Sequence, residues 1–387
     1  MNQYNILTEL YGEYEKPLYL HNLILDKQDK DNILEEVRKG DITIGKQIGE
    51  LQNNLTVYFQ KEKLNIGLLN SGTSALHLSL TSLNIKSGDD ILISPITFIA
   101  PVNTIHYTGA SPFFIDIDAD TLTMSPKILS NFIENHTTQK NGKLINDISG
   151  NEIKGLIHVD VFGQIGRLDE IYKICKEYDI YCIEDAAESF GSKLNNSNIG
   201  QYCDLVAGSF NGNKIISGGG GGFVGSKNSE IIEEISHISN QSRYGNEWEY
   251  DHDKIGYNYR ITNLQSALIN SQLNRLDDIL SKKRDLHEYY KKYFSDKNLH
   301  LYDEKGSNQS NYWLNAIYFD LSEKEVEDII SKLNSDGIKS RKMWKIMTEI
   351  EHNKKESNSG NLTQSKKVSE KIINIPSGLD VYEKILG

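Results

Sequence analysis

The chain has 387 residues, with 42 Lys and Arg against 54 Asp and Glu, a formal charge of −12. Apolar residues make up 38% and charged ones 25%, the balance of a folded globular protein rather than a disordered or fibrous one. No apolar run approaches the roughly 18 residues of a membrane span, and an acidic chain without a long Lys/Arg stripe repels phosphate, so neither a membrane nor a nucleic acid is expected as a partner.

The opening stretch, MNQYNILTELYGEYEKP, has acids and tyrosines where a secretory signal needs a basic region and then an apolar one; a cytoplasmic location is expected. Cys175, Cys182 and Cys203 cannot all pair within one chain and lack zinc spacing, which fits a reducing compartment. Single cores stop growing near about 250–300 residues, so this length predicts two or three domains.

The first motif, Asn70-Ser71-Gly72-Thr73-Ser74-Ala75, puts small polar residues at the start of a helical pattern over 73–83. The free backbone N–H groups and partial positive charge of a helix N-terminus can hold a phosphate there, although an ordinary Ser or Thr cap reads the same. Short apolar runs at 91–94 (ILIS), 112–117 (PFFIDI), 155–160 (GLIHVD) and 180–184 (IYCIE) predict buried strands, and 168–178 predicts a helix between the last two. Such alternation implies a mostly parallel sheet with helices on both faces. Residues 136–152, polar and rich in Asn, Gly and Lys, are expected to form a surface loop or hairpin.

Ile183-Glu184-Asp185-Ala186-Ala187-Glu188 closes the last of these strands. An acid at the carboxyl end of a parallel strand lies where open α/β sheets bind ligands. Buried there, an Asp must pair with a cation or stay protonated; the alternative is a cap for the next turn. Ser209-Phe210-Asn211-Gly212-Asn213-Lys214 then leads through Ile215-Ile216-Ser217 into five glycines, Gly218 to Gly222. A lysine among apolar residues and close-packed glycines is not an ordinary solvated lysine, and burial favours the neutral amine that can form a Schiff base. The run is no P-loop, because no Gly-Lys-Ser/Thr follows the glycines. Gly220, Gly222 and Gly225 satisfy GxGxxG, but a dinucleotide fingerprint opens a helix and Phe223-Val224 reads as strand, which argues against a nicotinamide cofactor.

From about residue 241 the pattern changes. Asp251-His252-Asp253 has metal-ligand residue types without partner spacing; it reads as an exposed loop, and no metal is expected. Gly256-Tyr257-Asn258-Tyr259-Arg260 precedes a long helical pattern over 262–294, and its Asn and Arg can bind phosphate or carboxylate or make a plain salt bridge. A strand is expected over 311–320, a helix over 322–333, a short strand over 337–341 and a second surface loop over 353–364. The pattern predicts a large α/β domain over 1–240 and a smaller α+β domain over 241–387. Residues 1–16 have no evident role.

Taken in order, NSGTSALH, SPITFIAPVN, IHVDVFGQ, EDAAES, SFNGNKIISGGGGG and GYNYR resemble the motifs of the DegT/DnrJ/EryC1/StrS sugar aminotransferases, pyridoxal-phosphate enzymes of fold type I, over about residues 17–378. Each motif alone is weak; six in this order and separation are specific. SFNGNK, with SNYWLNA at 310–316, is most similar to the branch making 4-amino-4,6-dideoxy nucleotide sugars of the bacillosamine and legionaminic acid type. The resemblance implies that Lys214 holds the cofactor and moves the proton. It also implies that Asp185 pairs with the protonated pyridine nitrogen, keeping the ring an electron sink. Phe98 would stack on that ring. Gly72, Thr73, Ser74 and Ser209 would cradle its phosphate, and Glu188, where Gln or His often stands, would contact the ring-oxygen side. Asn258 would come from a neighbouring subunit, giving a homodimer with shared sites, and Arg260, Tyr312 and Trp344 are candidates for the substrate pocket. Many members carry Gly-Glu-Gly-Gly after the lysine where only glycine stands here, as in the branch just named. Residues 1–16 match nothing in the family.

The implied reaction takes the amino group of L-glutamate, through the pyridoxamine form of the cofactor, to a nucleotide-linked keto-deoxy sugar. The expected acceptor is a UDP-4-keto-6-deoxy-N-acetylhexosamine of surface-glycan biosynthesis, with amination at C3, or of a GDP or dTDP sugar, left open. A related sugar dehydratase would carry His in place of Lys214. A non-catalytic regulatory protein of the same fold would be expected to lose Lys214 or Asp185, and both are present.

Overall fold

The computed structural model describes residues 2–246, 248–297, 299–354 and 358–387. Helices α1 (Gln3–Tyr11), α2 (Lys27–Lys39) and α3 (Lys46–Tyr58) precede the first strand. Strands and helices then alternate: β1 (Asn65–Leu69), α4 (Gly72–Ser82), β2 (Asp89–Ile93), α5 (Ile99–Tyr107), β3 (Ser111–Phe114), α6 (Pro126–His136), β4 (Glu152–Val159), α7 (Leu168–Glu177) and β5 (Tyr181–Asp185). β6 (Leu205–Ser209), β7 (Gly222–Ser226) and α8 (Ser229–Ser239) complete this half.

The sheet runs in the order β1-β7-β6-β5-β4-β2-β3. β6, β5, β4, β2 and β3 are mutually parallel, and β7 is antiparallel to both of its neighbours. Runs such as Ile91-Leu92-Ile93 and Leu156-Ile157 are wholly buried, as expected of strands covered on both faces. The register sets Asp185 beside Val159 on one side and Ala207 on the other, so the carboxyl ends of β4, β5 and β6 open at one level. β7 starts at Gly222 beside Ser209, where an added Cβ would stand 2.5 Å from the Ser71 carbonyl; only glycine lets the strands and the start of α4 come this close.

The single helix expected over 262–294 is two, α9 (Asn263–Leu273) and α10 (Leu276–Phe294). α9 is buried along most of its length against α2 and α3, whereas α10 keeps a charged outer face, so the two need different directions. Arg275 takes up the bend, with φ −118° and ψ 19°, and its guanidinium is drawn to Asp29 and, at 2.9 Å, to the Ile24 carbonyl. Beyond α10 lies an antiparallel sheet of β8 (His300–Leu301), β9 (Asn315–Tyr318), β10 (Arg341–Lys342) and β11 (Ile372–Ile375), in the order β8-β9-β11-β10. α11 (Glu323–Ser335) packs against β10.

Several expected elements differ in extent. The strand expected over 311–320 is only β9, because Tyr312 sits in the left-handed region at φ 47° and turns the chain. Of the strand expected over 337–341, only Arg341 is in β10. Residues 136–152 contain the hairpin of Thr137–Lys140 with Lys143–Asn146. Asp251–His252 pair with Arg243–Tyr244 in a two-stranded hairpin rather than a plain loop. Within the loop expected over 353–364, residues 355–357 lie outside the described ones, and Asn358–Ser359 add a short strand parallel to β3.

The first residues have a place after all: Ile6, Leu7, Leu10 and Tyr11 of α1 join Tyr290, Phe294 and Leu333 in the apolar core beneath the smaller sheet, with a 3.0 Å hydrogen bond from Tyr11 Oη to Tyr290 Oη. Among the described residues, no helix is long and apolar enough to cross a membrane.

Candidate active site

The carboxyl ends of β4, β5 and β6, the starts of α4 and α5, and the glycine-rich turn before β7 enclose a cavity of about 280 Å³. Such a position, at the strand ends of an open parallel sheet, is where α/β folds bind ligands.

On one side lies the start of α4. Ser71 Oγ accepts from the Ser74 N–H at 3.0 Å and Ser74 Oγ accepts from the Ser71 N–H at 3.1 Å, a reciprocal capping box. The Ser74 hydroxyl also donates within this turn and is buried, so Ser71, Gly72 and Thr73 face the cavity and Ser74 does not. A Cβ on Gly72 would lie 2.8 Å from Ser209 Cβ, a close approach that brings Ser209 up to the helix start. Together they form a small cradle of hydroxyl and backbone donors suited to an anion.

Asp185 ends β5, buried, and also lines the cavity, with its Oδ1 accepting from the Ala187 N–H at 3.1 Å. Burial pushes its carboxyl up to about 7; the Ala187 hydrogen bond and Lys214 oppose the rise and Glu188 adds to it. Burial also raises Glu188, opposed first by Lys214. Glu188 Oε2 accepts from the Phe162 N–H at 3.0 Å, and its Oε1 is 3.6 Å from Lys214 Nζ.

Lys214 sits in the turn after β6, its N–H donating to the Asn211 carbonyl at 3.0 Å. The turn is pinned by the Gly218 N–H on the Phe210 carbonyl at 2.9 Å and the Gly221 N–H on the Asn70 carbonyl at 2.8 Å. Gly219 and Gly221 adopt φ +71° and +107°, which explains why this stretch is glycine. Lys214 Nζ therefore points into the cavity with Glu188 on one side and the Trp313 ring, 4.1 Å to its centroid, on another.

Phe98 precedes α5, lines the cavity and is 56% exposed, so its ring face is available. Trp344 forms another wall, its ring centroid 5.1 Å from that of Phe162. Other expected residues lie elsewhere. Tyr312 turns away: its ring stacks on His287 at 3.7 Å and its hydroxyl donates to Asp303 at 3.0 Å. The positive φ at Tyr312 swings Trp313 into the cavity instead. Arg260 lies outside, its guanidinium donating to Asn240 Oδ1 at 3.2 Å. Asn258 is exposed and outside its own chain's cavity, with its backbone carbonyl accepting from Asn70 Nδ2 at 3.3 Å.

Among the lining residues that the sequence pattern does not single out are Trp313 and Arg341. Arg341 comes from β10, half-buried, with its guanidinium 5.7 Å from the Trp344 ring centroid. Burial lowers its pKa and the Glu188 carboxylate opposes that shift. Its sequence neighbours Lys339, Ser340 and Lys342 are polar or charged and give no local signal of a place in the cavity. The ensemble offers an amine beside an acid, a buried carboxyl, an anion cradle and aromatic faces, all lining one cavity. A flat phosphorylated ring with a reactive carbonyl would fit it.

Comparison with known proteins agrees. Residues 24–384 match the DegT/DnrJ/EryC1/StrS aminotransferase family. The chain is 33% identical over 275 residues to GDP-perosamine synthase of Vibrio cholerae, covering 70% of each protein. It is also 33% identical over 280 residues to the UDP-4-amino-4,6-dideoxy-N-acetyl-beta-L-altrosamine transaminase of Campylobacter jejuni, covering 71% of this chain and 69% of that one. Helicobacter pylori PseC, an aminotransferase involved in pseudoaminic acid biosynthesis, shares the fold with a TM-score of 0.84 over 96% of this chain and 97% of that one, at 22% identity. The chain belongs to the DegT/DnrJ/EryC1/StrS aminotransferase family, whose members are pyridoxal-phosphate enzymes of fold type I.

Proposed function

We propose that the chain is a cytoplasmic, homodimeric aminotransferase that uses pyridoxal phosphate in the cavity to pass the amino group of glutamate to a nucleotide-linked keto-deoxy sugar, a UDP-4-keto-6-deoxy-N-acetylhexosamine. The observation that carries this reading is the convergence of Lys214, Asp185, Phe98 and the Gly72–Thr73 cradle on one cavity. Asp185 supplies the test of fit. Its buried carboxyl is pushed up to about 7, and a protonated ring nitrogen beside it would restore the anion. Similarity to proteins named for a UDP sugar and for a GDP sugar supports the nucleotide-sugar acceptor.

Bound there, the cofactor supplies a ring that stabilises negative charge on the carbon losing its proton. Lys214 Nζ would hold the cofactor's aldehyde carbon and, once displaced by the incoming amine, carry the proton. Glu188 Oε1, 3.6 Å from Lys214 Nζ, would keep the lysine amine oriented. Asp185, as the anion, would keep the ring nitrogen protonated, Phe98 would cover a ring face and keep water from it, and Gly72, Thr73 and Ser209 would bind the phosphate. Arg341 presents a cation to an anionic group of donor or acceptor.

The decisive assay incubates the protein with glutamate and a panel of UDP-, GDP- and dTDP-linked 4-keto and 3-keto sugars, with products read by mass spectrometry. Amination of the UDP-4-keto sugar is expected; amination of another member alone would replace the acceptor, and none at all would overturn the reading. The shared site has its own test, because Asn258, outside its own cavity, is placed by this reading on the partner's cofactor phosphate. Lys214→Ala chains mixed with Asn258→Ala chains should regain activity, since one site of the mixed dimer then carries both lesions and the other neither. No recovery, despite subunit exchange and a damaging Asn258 lesion, would put Asn258 in its own subunit's site.

A further inference from the structure

The wall behind Lys214 is held unusually firmly. Trp313 presents its ring face 4.1 Å from Lys214 Nζ, the geometry of a cation–π contact. Three further contacts hold the residue, one on the indole and two on its backbone. Its Nε1–H donates to the Asn213 carbonyl at 2.6 Å, the Trp313 N–H donates to Asn311 Oδ1 at 2.8 Å, and the Trp313 carbonyl accepts from Lys283 Nζ at 2.8 Å. Asn311 in turn donates to the Glu188 carbonyl at 2.9 Å, so the wall and the acid beside Lys214 share one brace.

Lys283 is the unexpected member. It is wholly buried in α10 and does not line the cavity, and its other acceptor is the Ser377 carbonyl. Burial pulls its pKa down to about 7, with Asp380 opposing. A lysine is a costly way to satisfy two carbonyls in a core, and one of the two belongs to the residue stacked on Lys214.

We propose that Trp313 positions the Lys214 amine toward Glu188 and that Lys283 is a positioning residue acting through Trp313. The inference rests on the reading of Lys214 as the reacting amine. Without the indole face, Lys214 Nζ would leave its place and meet more water, while the cavity's charges stayed the same.

The test uses cofactor-free protein and the variants Trp313→Phe, Trp313→Ala, Lys283→Met and Lys283→Arg, each checked for folding by melting. Acetic anhydride at limiting dose labels free amines, and mass spectrometry gives the Lys214 rate relative to that of exposed Lys324. Lys214 should label about tenfold faster in Trp313→Ala, the scale of a desolvated cation–π contact, and by less in Trp313→Phe. Lys283→Met should move it in the same direction, Lys283→Arg should restore it, and Lys283→Met on top of Trp313→Ala should add nothing. An unchanged Lys214 rate in folded Trp313→Phe and Trp313→Ala would overturn the role of Trp313. Additive effects would overturn the route from Lys283 through Trp313. The reading of Lys214 as the cofactor's lysine is tested separately by adding pyridoxal phosphate and borohydride to the wild-type chain. Absence of a fixed adduct on Lys214 there would overturn that reading, whatever the labelling ratios show.

Discussion

Strand β5 ends in two consecutive carboxyl groups that face opposite sides of the sheet, and the two sides use them differently. Asp185 and Glu184 are both buried, and burial pushes each up to about 7. On the cavity side Asp185 has Glu188, Lys214 and open space before it. On the far side Glu184 Oε2 accepts from the Gly200 N–H at 2.6 Å and from the Cys203 thiol at 3.5 Å. Its neighbour Asp160 takes the Ser189 hydroxyl and is raised by burial and then by Glu184. His158 on that side is pushed down to about 4 by burial and so stays neutral. Asp160 Oδ1 and Glu184 Oε1 each lack a donor, which is relieved when one of the carboxyls keeps a proton. A shifted carboxyl is therefore not enough to mark a reacting site. What separates the two sides is a cation and a cavity.

The largest break in that contrast should come from Lys214→Ala, which removes the cation. Turnover should fall by about 10⁴-fold or more with the melting temperature nearly unchanged, and retained turnover would remove Lys214 from the chemistry. Asp185→Asn keeps the shape but not the charge; kcat should drop by about 10²–10³-fold while the protein still binds cofactor by absorbance. Comparable rates would make Asp185 a structural cap. Gly72→Ala puts a Cβ 2.8 Å from Ser209 Cβ, and cofactor affinity measured by titration should weaken about tenfold through overpacking. An unaltered affinity would mean that the cradle is looser than its spacing.

The far side should respond least in activity. Glu184→Gln should leave kcat within about twofold, since its partners Gly200, Cys203 and Asp160 are not among the residues lining the cavity. Its effect lies in stability. The Glu184 pKa in the folded chain, about 7, exceeds its ordinary 4.5, so its contribution is full below 4.5 and is lost as pH rises through 7. An amide stays neutral and escapes that loss. Thermal melts should show the variant gaining on the wild type as pH goes from 5 to 8, and a constant gap would show that Glu184 does not titrate in this range.

Much of the site could be read from local pattern. Asp185 closes a short apolar run, and Lys214 stands before a block of glycines whose left-handed turns only glycine accepts. Other residues carried no such mark. SNYWLNA contains both Tyr312 and Trp313, and only the positive φ at Tyr312 decides that Trp313 faces Lys214 while Tyr312 stacks on His287. Arg341 enters the cavity from a strand paired with β11, a contact that nothing near it in sequence announces.

By itself, then, the sequence determined the α/β class, the parallel strands and the motif order, because alternating burial and turn chemistry are short-range properties written in neighbouring residues. Tertiary structure alone decided the break between α9 and α10, where Arg275 meets Asp29 some 246 residues away, and the burial of α1 against the C-terminal core, where Tyr11 meets Tyr290 across 279 residues. It likewise decided which aromatic residue stands over Lys214. Each depends on surfaces brought together only when distant segments pack, and no window of neighbouring residues contains both partners.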